Sequence, residues 1–300
     1  MRYFVILFTT LFLLTGCGQK TVEQVPVAQI PTAEEAQSTN ENWTYPTYEM
    51  EKTTLYDANG VLLTVDAIQQ NEEDPSLFKF VYTLVNNNDF MIQFYADNLV
   101  INGYSYEWPL FDGSVKAGES RIAELTATLK VPRGSEEIVV MICDASLRNL
   151  SRAEMLDENM TFTLCTKGAD KDKTYTYPSG NLLVQQDGVR IESLGHIYDE
   201  PRSVAFLIVN EREEPIERVV IKPTSIDGID VTNAEHDPTY FDDTSVIQPG
   251  TAYILEEHLN QDFVVEYART GNPVYKIDTM TVDITVEGDS GFEILGVTVE

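Results

Sequence analysis

Ser290 has the sequence setting most suggestive of nucleophilic catalysis, because it lies in a Gly-Asp-Ser-Gly run at residues 288–291. A nucleophilic serine needs a positioned base, and none of the 3 histidines in the chain lies in a context that matches this run. The alternation of apolar and polar residues over Met280–Glu287 and Phe292–Val299 instead predicts a polar turn between two strands. We therefore predict no catalytic residues and no enzymatic activity, with an unrecognised hydrolase as the alternative.

Metal binding is the second chemistry to consider. His196, His236 and His258 lack the His-x-x-x-His or Cys-x-x-Cys spacing of transition-metal sites. Carboxylates of the kind that calcium prefers do cluster, but none of the clusters forms an EF-hand loop, and a chain with 49 acidic residues contains such clusters by chance. We expect no cofactor, with a structural calcium ion as the alternative. Its candidate ligands are Asp227, Asp230, Asp242 and Asp243.

The amino-terminal residues have the layout of a bacterial export signal. Arg2 precedes an apolar run at residues 3–14, which is too short to span a bilayer, and small residues follow it. Leu14-Thr15-Gly16-Cys17 resembles the lipobox of bacterial lipoproteins. The resemblance implies removal of residues 1–16 and a lipid anchor on Cys17 at the extracytoplasmic face of the membrane; an ordinary secreted protein is the alternative. The composition of residues 17–42 predicts a disordered tether.

Two further cysteines, Cys143 and Cys165, lie in β-like runs that could be neighbours. Export permits a disulfide, but pairing cannot be read from sequence alone. A Cys143–Cys165 bridge and two buried free thiols therefore remain equal alternatives.

Aromatic residues offer a binding surface in one stretch of the chain. Tyr104, Tyr106 and Trp108 follow an Asn-Gly turn, which makes them the better candidates for exposure, whereas other aromatic residues nearby are expected to fill the core. Exposed Tyr and Trp suit protein or carbohydrate partners. These three residues are our predicted partner-binding site.

The elements that must position these residues are strands. Alternating apolar runs occur at residues 61–68, 78–85, 92–101, 122–131, 138–143 and 160–165, and turn residues such as Asn59-Gly60 separate them. Short strands at this spacing predict a sandwich or barrel. Residues 151–158 are predicted to form one or two helical turns within the last connection.

The second half of the chain repeats this order. The runs at residues 80–86 and 204–210 both end in Asn, and residues 166–174 form a polar boundary between the copies. Arg190 and Glu192 replace Leu62 and Thr64, so we expect that face to contact solvent in the second copy. The matched motifs are Tyr45-Pro46 with Tyr177-Pro178, Asn59-Gly60 with Asp187-Gly188, Asn102-Gly103 with Asp227-Gly228, and Ala117-Gly118 with Pro249-Gly250.

These strands and turns resemble the immunoglobulin-like domains attached to lipoproteins of low-GC Gram-positive bacteria. The resemblance covers residues 43–300 and implies an all-β fold of two tandem antiparallel β-sandwiches, at residues 43–167 and 175–300. It also implies binding modules without known catalysis. The Cys–Trp–Cys signature of antibody domains is absent.

The charge of the chain limits its partners. A formal net charge of −29 repels nucleic-acid phosphates, so we expect no nucleic-acid partner. The expected function is that of a lipid-anchored binding protein that recognises another exported protein or a cell-wall component. The alternative is a small-ligand or solute-binding lipoprotein associated with a transporter, although the sequence lacks the α/β alternation of such proteins.

Overall fold

The structure is a computed structural model of the chain. It describes residues 50–70, 77–96, 98–107, 113–128, 137–196, 201–240, 246–271 and 274–299. Cys17, Trp108, Asp242 and Asp243 lie outside these residues, as do the signal and tether segments.

The fold is an all-β sandwich fold, as the sequence predicts. The strands that precede the polar boundary form what we call the first unit. They are β1 (Thr53–Ala58), β2 (Val61–Gln70), β3 (Leu77–Asn86), β4 (Ile92–Tyr95), β5 (Asn98–Ile101), β6 (Tyr104–Glu107), β7 (Gly113–Val115), β8 (Ser120–Thr128), β9 (Val139–Asn149) and β10 (Glu154–Cys165).

The strands after the boundary form the second unit, which also contains one helix. Its elements are β11 (Asn181–Gln186), β12 (Val189–Gly195), β13 (Ser203–Asn210), β14 (Arg218–Ile226), β15 (Ile229–Asp230), β16 (Thr239–Tyr240), β17 (Ala252–Leu259), α1 (Gln261–Thr270), β18 (Met280–Glu287) and β19 (Phe292–Val299).

The two units share one strand order. In the first unit β1-β2-β3-β8 form one layer, and β6, β5, β9 and β10 pair in that order in the other. In the second unit β11-β12-β13-β17 and β15-β14-β18-β19 repeat both layers. The repeat read from turn residues therefore corresponds to a repeat of sheet topology.

Alternation along the strands explains the two cores. Phe80, Tyr82 and Leu84 on β3 are buried in the first core, and Val204, Phe206 and Ile208 on β13 occupy the same positions in the second. Side chains two apart on a strand point to one face of a sheet, so each set faces the opposite layer of its own unit. Leu207 and Val209 have the other parity and belong to the first core.

A buried asparagine ends the third strand of each unit. The Asn86 side chain donates hydrogen bonds to the carbonyls of Phe90, Val115 and Lys116. The Asn210 side chain donates to the carbonyls of Glu214 and Ile247. Both residues are fully buried, so each amide supplies backbone groups of the following loops with the partners that burial requires.

The helical prediction for residues 151–158 is wrong, because β10 begins at Glu154 and pairs with β9. Among the described residues, a helix forms instead at α1. The Asn260 side chain accepts the Asp262 amide at its start, Gly271 ends it at φ 84°, and Phe263 and Val264 are buried. This cap and this left-handed glycine are ordinary helix boundaries.

Candidate interaction sites

The two units meet through a backbone connection between sheets. The first residues of β6 and β17 pair in parallel, with Tyr104 opposite Ala252. The Ala252 amide donates to the Gly103 carbonyl at 2.9 Å. This pairing makes one continuous sheet that includes strands of both units. We call this contact, together with the 175–177 segment that packs on it, the junction.

Two hydroxyl side chains lie at the centre of the junction. The Ser105 and Thr251 oxygens are 2.7 Å apart, and the Gln248 amide donates to Ser105 Oγ at 3.1 Å. Ser105 is 2% exposed and Thr251 5% exposed. Each polar atom is thus satisfied by its neighbours, as burial requires.

Two tyrosines, Tyr104 and Tyr177, pack at the junction. The Tyr177 hydroxyl donates to the Gly103 and Gly250 carbonyls at 3.0 and 3.2 Å, and its ring meets the Tyr104 ring edge-on at 5.3 Å between centroids. Burial raises the pKa of Tyr177 to about 12 and also raises the pKa of Tyr104. The segment between the units is therefore packed against both of them.

The exposure expected of the predicted partner-binding residues is wrong for two of the three. Tyr104 and Tyr106 are only 5% and 9% exposed and belong to the first core, which also contains Leu207 and Val209. They lie on β6, whose edge β17 covers. The Asn102-Gly103 turn led us to expect exposed residues after it, but a turn cannot reveal which strand covers the residues that follow. Trp108 lies outside the described residues.

The predicted solvent face of the second unit is also wrong. Glu192 is 6% exposed; it accepts the Gly180 amide at 2.7 Å and pairs with Arg190. The segment between the units therefore lies against this face. Burial of a carboxylate is tolerable here because both a backbone amide and a guanidinium pair with it.

The disulfide alternative is contradicted, since both cysteines are free. Cys165 pairs with Val139 on β9, four positions away from Cys143. At the usual rise of a strand that separation is roughly 13 Å, well beyond the reach of a disulfide. Burial raises the pKa of the Cys143 thiol to about 11.

Two of the calcium candidates have structural roles. Asp227 accepts the Asp278 and Thr279 amides. Asp230 accepts the amide and hydroxyl of Thr232 through Oδ1, and the hydroxyl lowers the pKa of Asp230. Among the described residues, no group of three or more His, Cys, Asp or Glu side chains could hold a metal ion.

Ser290 lies in a turn, as the sequence predicts. Its carbonyl accepts from Arg212, and the Gly291 amide donates to Gly288. A separate cavity of about 80 Å³ has serine, histidine and aspartate in its lining. His196 there contacts the Ser203 carbonyl through Nδ1, and Asp278 pairs with Lys276. Their contacts thus go to other groups and not along a catalytic relay.

An open cleft of about 610 Å³ lies between β15 and α1. Tyr267 of α1 donates to the Asp230 carbonyl at 3.0 Å. Glu266 accepts the Glu235 and His236 amides, and the first of these lowers the pKa of Glu266. Sequence reasoning missed these helix residues, although Asn260 and Gly271 marked the helix boundaries. The lining includes Ile229, Asp230, Asn233, Glu266, Tyr267 and Thr270.

Within the described part of the chain, no helix is long and apolar enough to cross a bilayer. No protein-family model matches the chain, and no curated protein matches it.

Solved structures resemble the chain only weakly. A conserved domain protein from Bacillus anthracis is 11% identical over 90% of this chain and 99% of its own, with a TM-score of 0.29. An exo-chitosanase from Amycolatopsis orientalis is 14% identical over 76% of this chain, with a TM-score of 0.25. The match spans only 26% of the chitosanase. At such values neither similarity bears on activity.

Proposed function

We propose that this chain is a lipid-anchored extracytoplasmic binding protein whose two immunoglobulin-like sandwiches recognise another exported protein or a cell-wall component. The lipobox-like Leu14–Cys17 motif supports the anchor. The composition of residues 17–42 predicts a disordered tether. Such a tether would have a root-mean-square reach of roughly 25–30 Å, enough to hold the folded part clear of the bilayer.

The junction is the observation that carries the binding role. It combines a strand pairing, the Ser105–Thr251 contact and the Tyr177 bonds to Gly103 and Gly250. Contacts between domains of one chain are often small and mobile, whereas this one continues a sheet and a core. Both units therefore hold their surfaces in a fixed relation, which favours recognition of a large partner.

The same junction is unfavourable to a solute-binding mechanism. Two-lobed solute receptors close about a hinge around a ligand held between the lobes. Here Tyr104 and Tyr106 of the first unit and Leu207 of the second belong to one buried core. Closure on a ligand at that place would require these buried side chains to separate.

The anchor is tested by partition of the full chain between detergent and aqueous phases. Wild type should enter the detergent phase, whereas Cys17→Ala should remain in the aqueous phase because no thioether lipid can form. A Cys17→Ala protein that still enters detergent would contradict the lipid anchor.

The binding role is tested by amine-reactive crosslinking on intact cells, followed by affinity capture and mass spectrometry. One protein or wall fragment should be recovered in stoichiometric amount. The matched control is Cys17→Ala, which should lose the adduct because the protein leaves the surface. Recovery of nothing above background from wild type would contradict a macromolecular partner.

A further inference from the structure

The second unit contains a strand, β15, that is equivalent to β6, the strand by which the first unit pairs with the second. β6 follows Asn102-Gly103 and pairs with β5, and β15 follows Asp227-Gly228 and pairs with β14. The outer edge of β6 is taken by β17, whereas β15 is the terminal strand of its sheet as far as the described residues extend. A position that binds a protein strand in one copy therefore binds no described strand in the other, where the Tyr267 hydroxyl of α1 contacts the Asp230 carbonyl instead.

The open copy differs from the occupied one in charge. Ser105 pairs with Val100, and Asp230 pairs with Ser225, so these two residues are equivalent. Ser105 meets a threonine hydroxyl of the strand that docks on it. A carboxylate at this position would instead favour a cationic side chain on the docking strand, because a carboxylate that becomes buried on binding needs a partner of opposite charge. Both described hydrogen bonds of the Asp230 side chain involve Oδ1, which leaves Oδ2 for such a partner.

The surroundings of Asp230 fit a strand from another protein. The cleft beside it is open and combines the half-buried Ile229 and Tyr267 with the acidic Asp230 and Glu266. Tyr267 provides the aromatic surface that Tyr104 provides at the junction. The Gly228 carbonyl lies at the position where the Gly103 carbonyl accepts an amide.

We propose that the edge of β15 is the docking site for the first residues of a β-strand from an exported partner protein. This strand pairs parallel to β15 and carries Lys or Arg beside Asp230. The proposal rests on the proposed function and adds the site and the chemistry of the partner. A parallel entry follows from the β6–β17 pairing, and the cation follows from replacement of Ser105 by Asp230.

A second copy of this chain does not fit the site. Thr251 of that copy is already buried against its own Ser105. The position in its first unit that is equivalent to Thr251 is Glu119. The backbone amide of Asn86 donates to the Glu119 carbonyl, as the backbone amide of Asn210 donates to the Thr251 carbonyl. Two carboxylates would then meet in the contact, and like charges in an interface oppose association.

The site can be tested by photo-crosslinking on intact cells that produce the full chain. p-Benzoylphenylalanine is placed singly at Asn233 in the cleft, at Glu213 in the β13–β14 loop, and at Leu150 at the tip of the first unit. We expect an adduct with one exported protein from position 233. It should be lost when Asp230→Lys is added and kept when Glu213→Lys, which changes charge equally at an exposed position, is added instead.

The outcomes separate this proposal from the proposed function. An adduct only at position 213 or 150 would overturn the β15 site while leaving the binding role intact. No adduct at any position would overturn both. An adduct at 233 between two copies of this chain would overturn the partner chemistry.

A charge exchange with the purified partner completes the test. Mass spectrometry of the adduct should locate a Lys or Arg at the start of a strand. In calorimetry Asp230→Lys should weaken binding at least about tenfold, and replacement of that cation by Glu in the partner should restore it. Equal binding by wild type and Asp230→Lys would overturn the role of this carboxylate.

Discussion

The β5–β6 turn of the first unit and the β14–β15 turn of the second have the same backbone in different surroundings. Asn102 and Asp227 have φ of 48° and 49°, and the glycines that follow have φ of 82° and 78°. Both side chains accept amides at the start of the strand opposite. The first turn is covered by the second unit, whereas the second lines an open cleft. Shared residues therefore determine the turn, and Ser105 or Asp230 determines what docks on it.

The asparagines that end β3 and β13 show the same division. Asn86 and Asn210 both bond the loop carbonyls beside them, and their Oδ1 atoms accept the amides of Asn88 and Arg212. These contacts do not depend on what covers the unit. Positions that keep their residue between the copies thus maintain the fold, and positions that change it distinguish the two surfaces.

The largest effect is expected when the two hydroxyl residues of the junction are replaced by the acidic residues found at the equivalent exposed positions. The double variant Ser105→Asp with Thr251→Glu places at the junction the two acids found at the equivalent positions, Asp230 and Glu119. Two carboxylates then share a buried contact, which should destabilise the junction by about 3 kcal/mol or more. Small-angle scattering should show a larger radius of gyration, and urea unfolding should lose cooperativity between the units.

The matched control is the reverse exchange, Asp230→Ser with Glu119→Thr, at two exposed positions. Stability should change by about 1 kcal/mol or less, because both positions are exposed and Ser can still accept the Thr232 amide that Asp230 accepts. An unchanged radius and a single unfolding transition for the double acid variant would contradict the role given to Ser105 and Thr251.

A smaller effect separates the two turn glycines. A Cβ at Gly103 would lie 2.8 Å from the Tyr175 ring, whereas a Cβ at Gly228 has nothing within 4 Å. Both substitutions to Ala pay for a left-handed backbone, about 1 kcal/mol. Gly103→Ala must also displace Tyr175, so it should destabilise by about 1–2 kcal/mol more in urea unfolding. Equal losses at both glycines would mean that Tyr175 moves aside without consequence.

Local chemistry made much of the fold predictable. The strands Met280–Glu287 and Phe292–Val299 have the predicted bounds, because alternation and the Gly-Asp-Ser-Gly turn act within a few residues of each other. The repeated turns were likewise readable as Asn-Gly or Asp-Gly pairs. Other bounds were mistaken: the run at residues 92–101 forms two strands, β4 and β5. The helix predicted at residues 151–158 overlaps β10, because acidic and small residues interrupt the alternation there.

The surfaces were not predictable in the same way. Tyr106 follows a turn and Glu192 replaces an uncharged residue of the first copy, yet Tyr106 is buried in the first core and Glu192 is buried against Gly180 of the segment between the units. Contacts between the units join residues more than a hundred positions apart, as Ser105 and Thr251 show. Alternation reports which residues share a face of a sheet, and it cannot report what covers that face.

The smallest effect expected is the pH dependence that Tyr177 contributes at the junction. The Tyr177 pKa rises to about 12 on folding because the phenol is buried, while an unfolded tyrosine titrates near 10. Between these values the folded state holds a proton that the unfolded state has lost, so stability is complete below about pH 10 and falls as pH rises toward 12. Because solvent reaches part of this half-buried side chain, we expect about 1 kcal/mol of pH-dependent loss. Thermal melts from pH 9 to 12 should show a shallower decline in stability for Tyr177→Phe than for wild type.

The control is Tyr275→Phe, at a side chain 55% exposed, which should follow wild type. If Tyr177→Phe declines as steeply as wild type, the phenol is not buried at the junction in solution.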